Sequence, residues 1–227
     1  MKEQIISSVS YRQEEIISNI LRLYSPNGID ADLTYSKGFF YKSGEVQQPK
    51  LKFDIAPQTT DTVKADSRAV PLKNNSCGCV MFDPPFLATK GQSLATDVGN
   101  HIARRFGVFP TEPELFEYYR QSIAEIKRIL KENGIAIIKC QDKVSSRKQY
   151  ISHNYIINLA NESGLYCEDI FVLLAYNRLL SSKHTNQKHA RKYHSYFLVF
   201  RKNQKLTDAV RRNMDGGIHR TESAAAH

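Results

Sequence analysis

The sequence predicts an α/β sandwich built on a mostly parallel sheet, with an antiparallel pair of strands at its end. Short apolar runs of strand length alternate with longer segments whose apolar residues recur at helical spacing. One run, 78–83, is almost continuously apolar and is closed by an acid and two prolines, which is typical of a buried parallel strand. The last two runs, 170–175 and 196–200, lie close together on either side of a hydrophilic insertion, which favours the antiparallel pair.

The first elements are a helix, a turn and a short strand. A helix is predicted over 12–24, because its apolar residues fall mainly on one stripe: Ile16, Ile17, Ile20, Leu21 and Leu23. The turn residues of 25–28 end it. A glycine- and aromatic-rich stretch, 30–44, leads to a strand predicted at 51–55.

A long helix is predicted over 111–133, with Gly134 as its C-terminal stop. Its helically spaced apolar residues are Leu115, Tyr119, Ile123, Ile126 and Leu130. A buried strand at 135–140 and a helix at 154–163, ended by Gly164, follow. We expect three regions: a helical extension over 1–28, one domain over 29–202, and a polar tail over 203–227 whose last dozen residues are disordered.

The composition predicts a basic protein of the cytoplasm. The chain has 32 Lys+Arg against 23 Asp+Glu, a formal net charge of +9 that favours a polyanionic partner, either nucleic acid or an acidic membrane. No apolar run approaches the length of a membrane span, and the first residues lack the apolar core of a signal peptide. The four cysteines are too few for a disulfide scaffold, so a reduced, intracellular protein is expected.

No metal site is predicted. Cys77 and Cys79 are separated by a single residue, which is not the usual spacing of zinc ligands. We expect both to be buried structural residues. His184, His189 and His194 recur every five residues, which fits no single helical face.

The tetrapeptide Asp83-Pro84-Pro85-Phe86 follows the apolar run directly, and ligands bind beyond the carboxyl ends of such strands. The Asp83 carboxylate and the Pro84 carbonyl could accept the two N–H bonds of an exocyclic amine of adenine or cytosine. This would draw the nitrogen toward tetrahedral geometry and free its lone pair for attack. The prolines restrict the backbone and so aim the carbonyl, and Phe86 offers a stacking surface to a base that has left its helix. The alternative is an Asp-Pro turn that merely ends the strand.

Three further acids precede this tetrapeptide: Asp32, Asp54 and Asp66. Over residues 29–202 the chain resembles the S-adenosylmethionine-dependent amino-methyltransferases, which methylate N6 of adenine or N4 of cytosine in nucleic acids. In size it is similar to the small stand-alone enzymes of phages and mobile elements. The resemblance implies a Rossmann-like class I methyltransferase fold, S-adenosylmethionine as cofactor, and Asp83-Pro84-Pro85-Phe86 as the catalytic motif.

The resemblance also implies the cofactor contacts. The segment from Asp32 through Thr34 to Gly38 occupies the place of the family's first motif, a glycine loop that passes the methionine moiety. Asp54 takes the place of the acid that holds the ribose hydroxyls, and Asp66 that of the acid that meets the adenine amino group.

The first motif departs from the family pattern at Ser36, which stands where the loop usually has another glycine. A serine can still turn and donate a hydrogen bond, but it lacks the conformational freedom of glycine. This departure favours an alternative from another class, a non-catalytic nucleic-acid-binding module that has kept the fold and lost the cofactor.

Two polar insertions at strand ends carry positive charge, and we expect them to grip phosphates beside a flipped base. The candidate nucleic-acid contacts are Lys90, Arg104, Arg105, Lys188, Arg191 and Lys192. DNA is favoured over RNA and N6 of adenine over other amines. The alternatives are N4 of cytosine in DNA, N6 of adenine or N2 of guanine in RNA, and glutamine amides in proteins. Neither insertion is long enough for a large recognition domain, so target recognition would be loop-borne or supplied by a protein partner.

Overall fold

The structure is a computed structural model that describes residues 5–86, 88, 109–145, 147–176, 189–190, 192–210 and 212. Ten strands are described: β1 Val9–Ser10, β2 Ala31–Asp32, β3 Leu51–Asp54, β4 Val63–Lys64, β5 Cys77–Phe82, β6 Leu130–Cys140, β7 Lys143–Ser145, β8 Lys148–Tyr150, β9 Leu165–Leu174 and β10 His194–Lys202. The helices that flank them are α1 Gln13–Tyr24, α2 Glu112–Ile129 and α3 Ser152–Glu162. A 3₁₀ turn spans Phe39–Tyr41, and residues 204–210 are helical.

Eight of these strands form one sheet in the order β1-β9-β10-β6-β5-β2-β3-β4, and β7 and β8 form a separate hairpin. Strand β10 runs antiparallel to both of its neighbours, β6 and β9, whereas the other paired strands of the sheet are parallel. The predicted mostly parallel sheet with an antiparallel pair late in the chain is confirmed. The strand order reverses between β2 and β5, and the carboxyl edge at such a reversal is where α/β sheets bind ligands.

The first helix lies where its apolar stripe predicted it. Ile16, Ile17 and Ile20 are fully buried and pack in one cluster with Ile137 and Phe197 of the sheet. Strand β1 extends the sheet by pairing with β9. Helix α1 and strand β1 therefore pack against and pair with the sheet.

The long helix begins as predicted but ends at Ile129, four residues early. Leu130 adopts an extended backbone conformation (φ −66°, ψ 137°) and is the first residue of β6, where it pairs with Cys77 of β5. The prediction that Gly134 stops the helix is wrong, because Gly134 lies inside β6. A Cβ there would come within 2.9–3.2 Å of backbone carbonyl oxygens, so glycine permits a close approach of the chain to β5.

The remaining elements agree with their sequence patterns to within a few residues. Gly164 follows α3 at φ +86°, which confirms its role as the helix stop. Strand β9 starts five residues before the predicted run at 170–175, because Leu165, Tyr166 and Cys167 pair with the end of β10. The expected disordered residues at the end of the chain lie outside the described ranges. In the part of the chain that the structure describes, no helix combines the length and the apolar character needed to cross a membrane.

Candidate active site

Two carboxylates meet at the carboxyl edge where the strand order reverses. Asp32 is the last residue of β2, and Asp83 follows β5, which pairs with β2 in parallel register. Thr34 joins them: its backbone N–H donates to Asp32 Oδ1 (2.9 Å), and its Oγ1 accepts the backbone N–H of Asp83 (2.7 Å). The first predicted cofactor residue and the predicted catalytic motif are therefore held in one hydrogen-bonded unit.

Asp32 is an unusual carboxylate because it is almost completely buried, with 1% of its surface exposed. Burial, helped by the nearby carboxylates of Asp83 and Asp54, raises its pKa to about 7, against the hydrogen bonds of Tyr41 and Thr34, which act to lower it. The Tyr41 hydroxyl donates to Asp32 Oδ2 at 2.7 Å. Near neutral pH, the Asp32 carboxyl can therefore hold or release a proton beside Asp83-Pro84-Pro85-Phe86, called the proline motif below.

The loop after β2 makes the turn that a glycine would make. Ser36 has a positive φ of +53°, so the serine adopts the left-handed conformation expected of the missing glycine. Its backbone N–H donates to Asp54 Oδ2 (2.8 Å), which ties the loop to the end of β3. The Ser36 hydroxyl is buried and has no hydrogen-bond partner among the described residues. A buried hydroxyl without a partner at this position suits a polar ligand.

Gly38 supplies the second left-handed turn, at φ +64°, and a Cβ there would collide with the Tyr35 ring. We therefore expect Gly38→Ala to lower the free energy of unfolding by about 2–3 kcal/mol, from backbone strain plus steric overlap. Gly44→Ala is the matched control, because Gly44 has φ +80° but open space around its Cβ position. Its cost should be about 1–2 kcal/mol, from backbone strain alone. Urea unfolding of the three proteins measures both, and equal losses would contradict the steric part.

Asp66 lies two strands away from Asp32, beyond the end of β4, and its carboxylate is already paired. Both of its oxygens accept from the Arg68 guanidinium (2.6–3.0 Å), which lowers the pKa of Asp66 against the opposing effect of partial burial. A carboxylate has about four lone-pair positions, so it retains capacity for a further donor.

The proline motif is anchored at two of its carbonyls. The Tyr119 hydroxyl donates to the Pro85 carbonyl (2.7 Å), and Lys143 Nζ donates to the Phe86 carbonyl (2.6 Å). Lys143 also forms a 2.7 Å ion pair with Glu112, in which both side chains are about nine-tenths buried. Burial lowers the Lys143 pKa, although the pairing with Glu112 opposes the effect. These contacts hold the backbone of the motif against α2 and β7.

Lys139, which no sequence pattern singled out, places a cation beside the Asp83 carboxylate. Its Nζ lies 3.8 Å from Asp83 Oδ2, and its side chain is only 14% exposed. The ammonium sits over the rings of Phe40 (4.9 Å to the centroid) and Phe197 (5.5 Å). Its position follows from the register that pairs Phe82 with Ile138, which places Lys139 beside Asp83. Tyr119 and Lys143 were missed for the same reason, since their contacts join distant parts of the chain. Tyr41 was missed although it lies only nine residues from Asp32, because no pattern marks its hydroxyl as a donor to that carboxylate.

Most of the predicted nucleic-acid contacts lie outside the described residues: Lys90, Arg104, Arg105, Lys188 and Arg191. Lys192 is described, is partly buried, and lies two residues before β10 at the same edge of the sheet. No group of His, Cys, Asp and Glu in the described part of the chain could hold a metal ion.

Comparison with solved structures identifies the architecture. A protein from Galdieria sulphuraria, named as a proposed sarcosine dimethylglycine methyltransferase, matches with a TM-score of 0.53 and 13% sequence identity, over 85% of this chain and 86% of that one. The chain has a Rossmann-like methyltransferase fold. In that fold, Asp32 and Asp83 occupy the carboxyl edge of the two central strands, where the strand order reverses.

Two proteins whose names mention DNA methylation are also among the similar solved structures, at lower TM-scores. A protein of Thermus thermophilus, named as a proposed DNA modification methylase, has a TM-score of 0.44 and 19% identity in its complex with S-adenosyl-L-methionine, over 61% of this chain and 54% of that one. The PvuII DNA methyltransferase (cytosine-N4-specific) has a TM-score of 0.44 and 16% identity, over 62% and 48%. The chain thus spans about half the length of these two proteins. No protein-family model and no curated protein sequence matches it.

Proposed function

We propose that the chain transfers a methyl group from S-adenosylmethionine to the exocyclic amine of a base in nucleic acid, with N6 of adenine in DNA as the first choice of substrate. One observation carries the proposal. Thr34 connects the buried Asp32 to Asp83 at the point where the strand order reverses, so that a cofactor loop and an amine-binding motif lie side by side. A single methyl transfer needs its donor and acceptor sites next to each other.

The acceptor side consists of the proline motif. Asp83 and the Pro84 carbonyl accept the two N–H bonds of the amine, and Phe86 stacks against the base. The Tyr119 and Lys143 bonds to the carbonyls of Pro85 and Phe86 hold the peptide planes, so the acceptors are aimed before the base arrives. The proton that the amine loses after attack passes to solvent or to a carboxylate.

The donor side consists of the loop after β2 and the acids near it. When bound, the cofactor supplies an electrophilic methyl group on a positively charged sulfonium. Asp32 and Thr34 line the loop, and Gly38 lets the backbone approach closely. The buried Ser36 hydroxyl offers an unused hydrogen-bonding group, which fits a polar ligand there. Asp54 would meet the ribose hydroxyls and Asp66 the adenine amino group.

Methyl transfer is tested by incubating the full chain with labelled S-adenosylmethionine and unmethylated DNA or RNA, and then digesting the product to nucleosides. We expect label in N6-methyladenine from DNA. Label in N4-methylcytosine, or label from RNA alone, would move the substrate to one of the alternatives. Label in neither nucleic acid would overturn the proposal.

Calorimetric titration with the cofactor distinguishes the enzyme from a binding module that has lost its cofactor. The enzyme should bind S-adenosylmethionine in the micromolar range, and Asp54→Ala should weaken binding, because Asp54 both faces the cofactor and holds the loop through Ser36. Asp61→Ala is the control, since Asp61 is exposed and pairs with Lys52 outside the loop. Nucleic-acid binding without cofactor binding would favour the module.

A further inference from the structure

An exposed pair of stacked tyrosines lies outside the site described above. The rings of Tyr11 and Tyr176 are 4.1 Å apart at their centroids and 15° from parallel. Tyr176 remains 76% exposed and Tyr11 48% exposed, although each covers one face of the other. The outer face of the Tyr176 ring is therefore open to stacking by a further flat group.

The pair lies on the same edge of the sheet as the proline motif. Tyr11 follows β1 directly, and Tyr176 comes two residues after β9. Strands β1 and β9 are parallel to each other, and both β9 and β6 are antiparallel to β10, so their carboxyl ends share one edge with that of β5. Three strand spacings separate β9 from β5, which corresponds to about 14 Å.

Further aromatic rings lie at the start of β10, the strand between β6 and β9. The Tyr196 ring lies 4.3 Å from the ring of His153 and 5.2 Å from that of His194. Because β10 is antiparallel to both neighbours, its start lies at the same edge of the sheet as the ends of β6 and β9. One acid accompanies them: Asp142, which accepts from His153 Nδ1 (2.9 Å).

The charge of the neighbouring sequence suits a phosphate backbone. The stretch that follows Tyr176, residues 177–193, contains no Asp or Glu and has five Lys or Arg: Arg178, Lys183, Lys188, Arg191 and Lys192. Stacking rings beside cations are the features by which proteins hold unpaired nucleotides, since every base has a flat face and every linkage a negative charge.

We infer that Tyr176, backed by Tyr11, is a stacking site for an unpaired nucleobase, and that the chain holds a single-stranded segment of its nucleic acid there. This deepens the proposed function by naming the substrate as nucleic acid that is unpaired near its target base. A base inside a duplex has both faces covered by its neighbours and offers nothing to the open face of Tyr176. A span of about 14 Å corresponds to a few nucleotides of extended single strand.

The test measures binding rather than methyl transfer, so it can fail or succeed independently of the proposed activity. Fluorescence anisotropy with single-stranded DNA, single-stranded RNA and duplex DNA gives the affinities of the full chain. We expect a preference for a single-stranded oligonucleotide, about tenfold weaker binding of it by Tyr176→Ala, and an unchanged affinity for duplex. The two single-stranded probes show whether the strand is DNA or RNA.

Two variants separate stacking from folding. Tyr176→Phe keeps the ring and should bind as the natural protein does. Tyr166→Ala is the control, because Tyr166 lies at the start of the same strand but at the opposite edge of the sheet, and it should also bind normally. Thermal midpoints of all variants are compared, so that a loss of binding through unfolding is seen directly.

The chain contains no tryptophan, so Tyr176→Trp introduces a single reporter at the site. Its fluorescence should be quenched when a single-stranded oligonucleotide stacks on the indole. Equal affinities of the natural protein and Tyr176→Ala, or binding by Tyr176→Trp without quenching, would overturn the inference.

Discussion

Asp83→Ala is expected to reduce the rate of methyl transfer by about 10²–10³-fold. Asp83 is placed to accept one N–H of the target amine in the transition state, where the nitrogen becomes tetrahedral and its hydrogens more acidic. Preorganised groups of this kind are worth about 10²–10³ in rate each. Single-turnover transfer from labelled cofactor measures the chemical step and separates it from product release.

The fold should survive this substitution, because the structural bond at position 83 is made by the backbone N–H, which donates to Thr34 Oγ1. Removing the carboxylate also removes the negative charge that lies 3.8 Å from Lys139 Nζ. A small fall in the thermal midpoint is therefore expected. Glu117→Ala is the control, since Glu117 is an exposed carboxylate on α2. A variant that transfers methyl groups at a near-natural rate would remove Asp83 from the catalytic role.

Asp32→Asn should change how stability depends on pH. The pKa of Asp32 is raised by burial from 3.8 to about 7, so between these values the folded state binds more protons than the unfolded state. The free energy of unfolding of the natural protein should therefore fall relative to the variant as the pH rises from about 4 to about 7. The fall is as much as about 4 kcal/mol, and above pH 7 the difference is constant.

Asparagine is the informative replacement because its carbonyl can accept from Tyr41 or Thr34 without a charge. Asp30→Asn is the control, because the pKa of Asp30, which directly precedes β2, is shifted in the opposite direction. Burial acts to raise the pKa of Asp30, but hydrogen bonds from Lys50, Gly78 and Cys79 outweigh it and lower that pKa. Its contribution to stability is present above about pH 4 and is lost only in acid. Urea unfolding at several pH values measures both variants, and parallel curves for the Asp32 variant and the natural protein would contradict the raised pKa.

Local patterns predicted the fold where an element is long enough to repeat. Helices α1 and α3 and strands β5 and β10 were found, because their apolar residues recur over several positions. Strands β1, β2 and β4 have two residues each, and no period can be read from two residues. The end of α2 was misplaced because Leu130 continues the helical spacing, whereas its pairing with Cys77 draws it into β6.

The candidate site could be predicted only in part. The proline motif and the acids at strand ends are visible in the sequence, because each follows an apolar run. Several of the contacts that set their chemistry join residues far apart in the sequence, as Tyr119 does with Pro85 and Lys143 with Phe86. The left-handed conformation of Ser36 could not be predicted from the residue type, because serine does not favour a positive φ.

The reversed strand has a consequence for the order in which the protein can be completed. Strand β10 fills the gap between β6 and β9, yet among the described strands it is the one synthesised last. Until it arrives, the long strand β6 has an open edge, and β9, with β1 attached, has nothing to join it to the rest of the sheet. Of the described strands, the first and the last thus join the sheet together and late, through contacts between distant parts of the sequence. Contacts of this kind form slowly, and unpaired strand edges stay exposed to aggregation in the meantime.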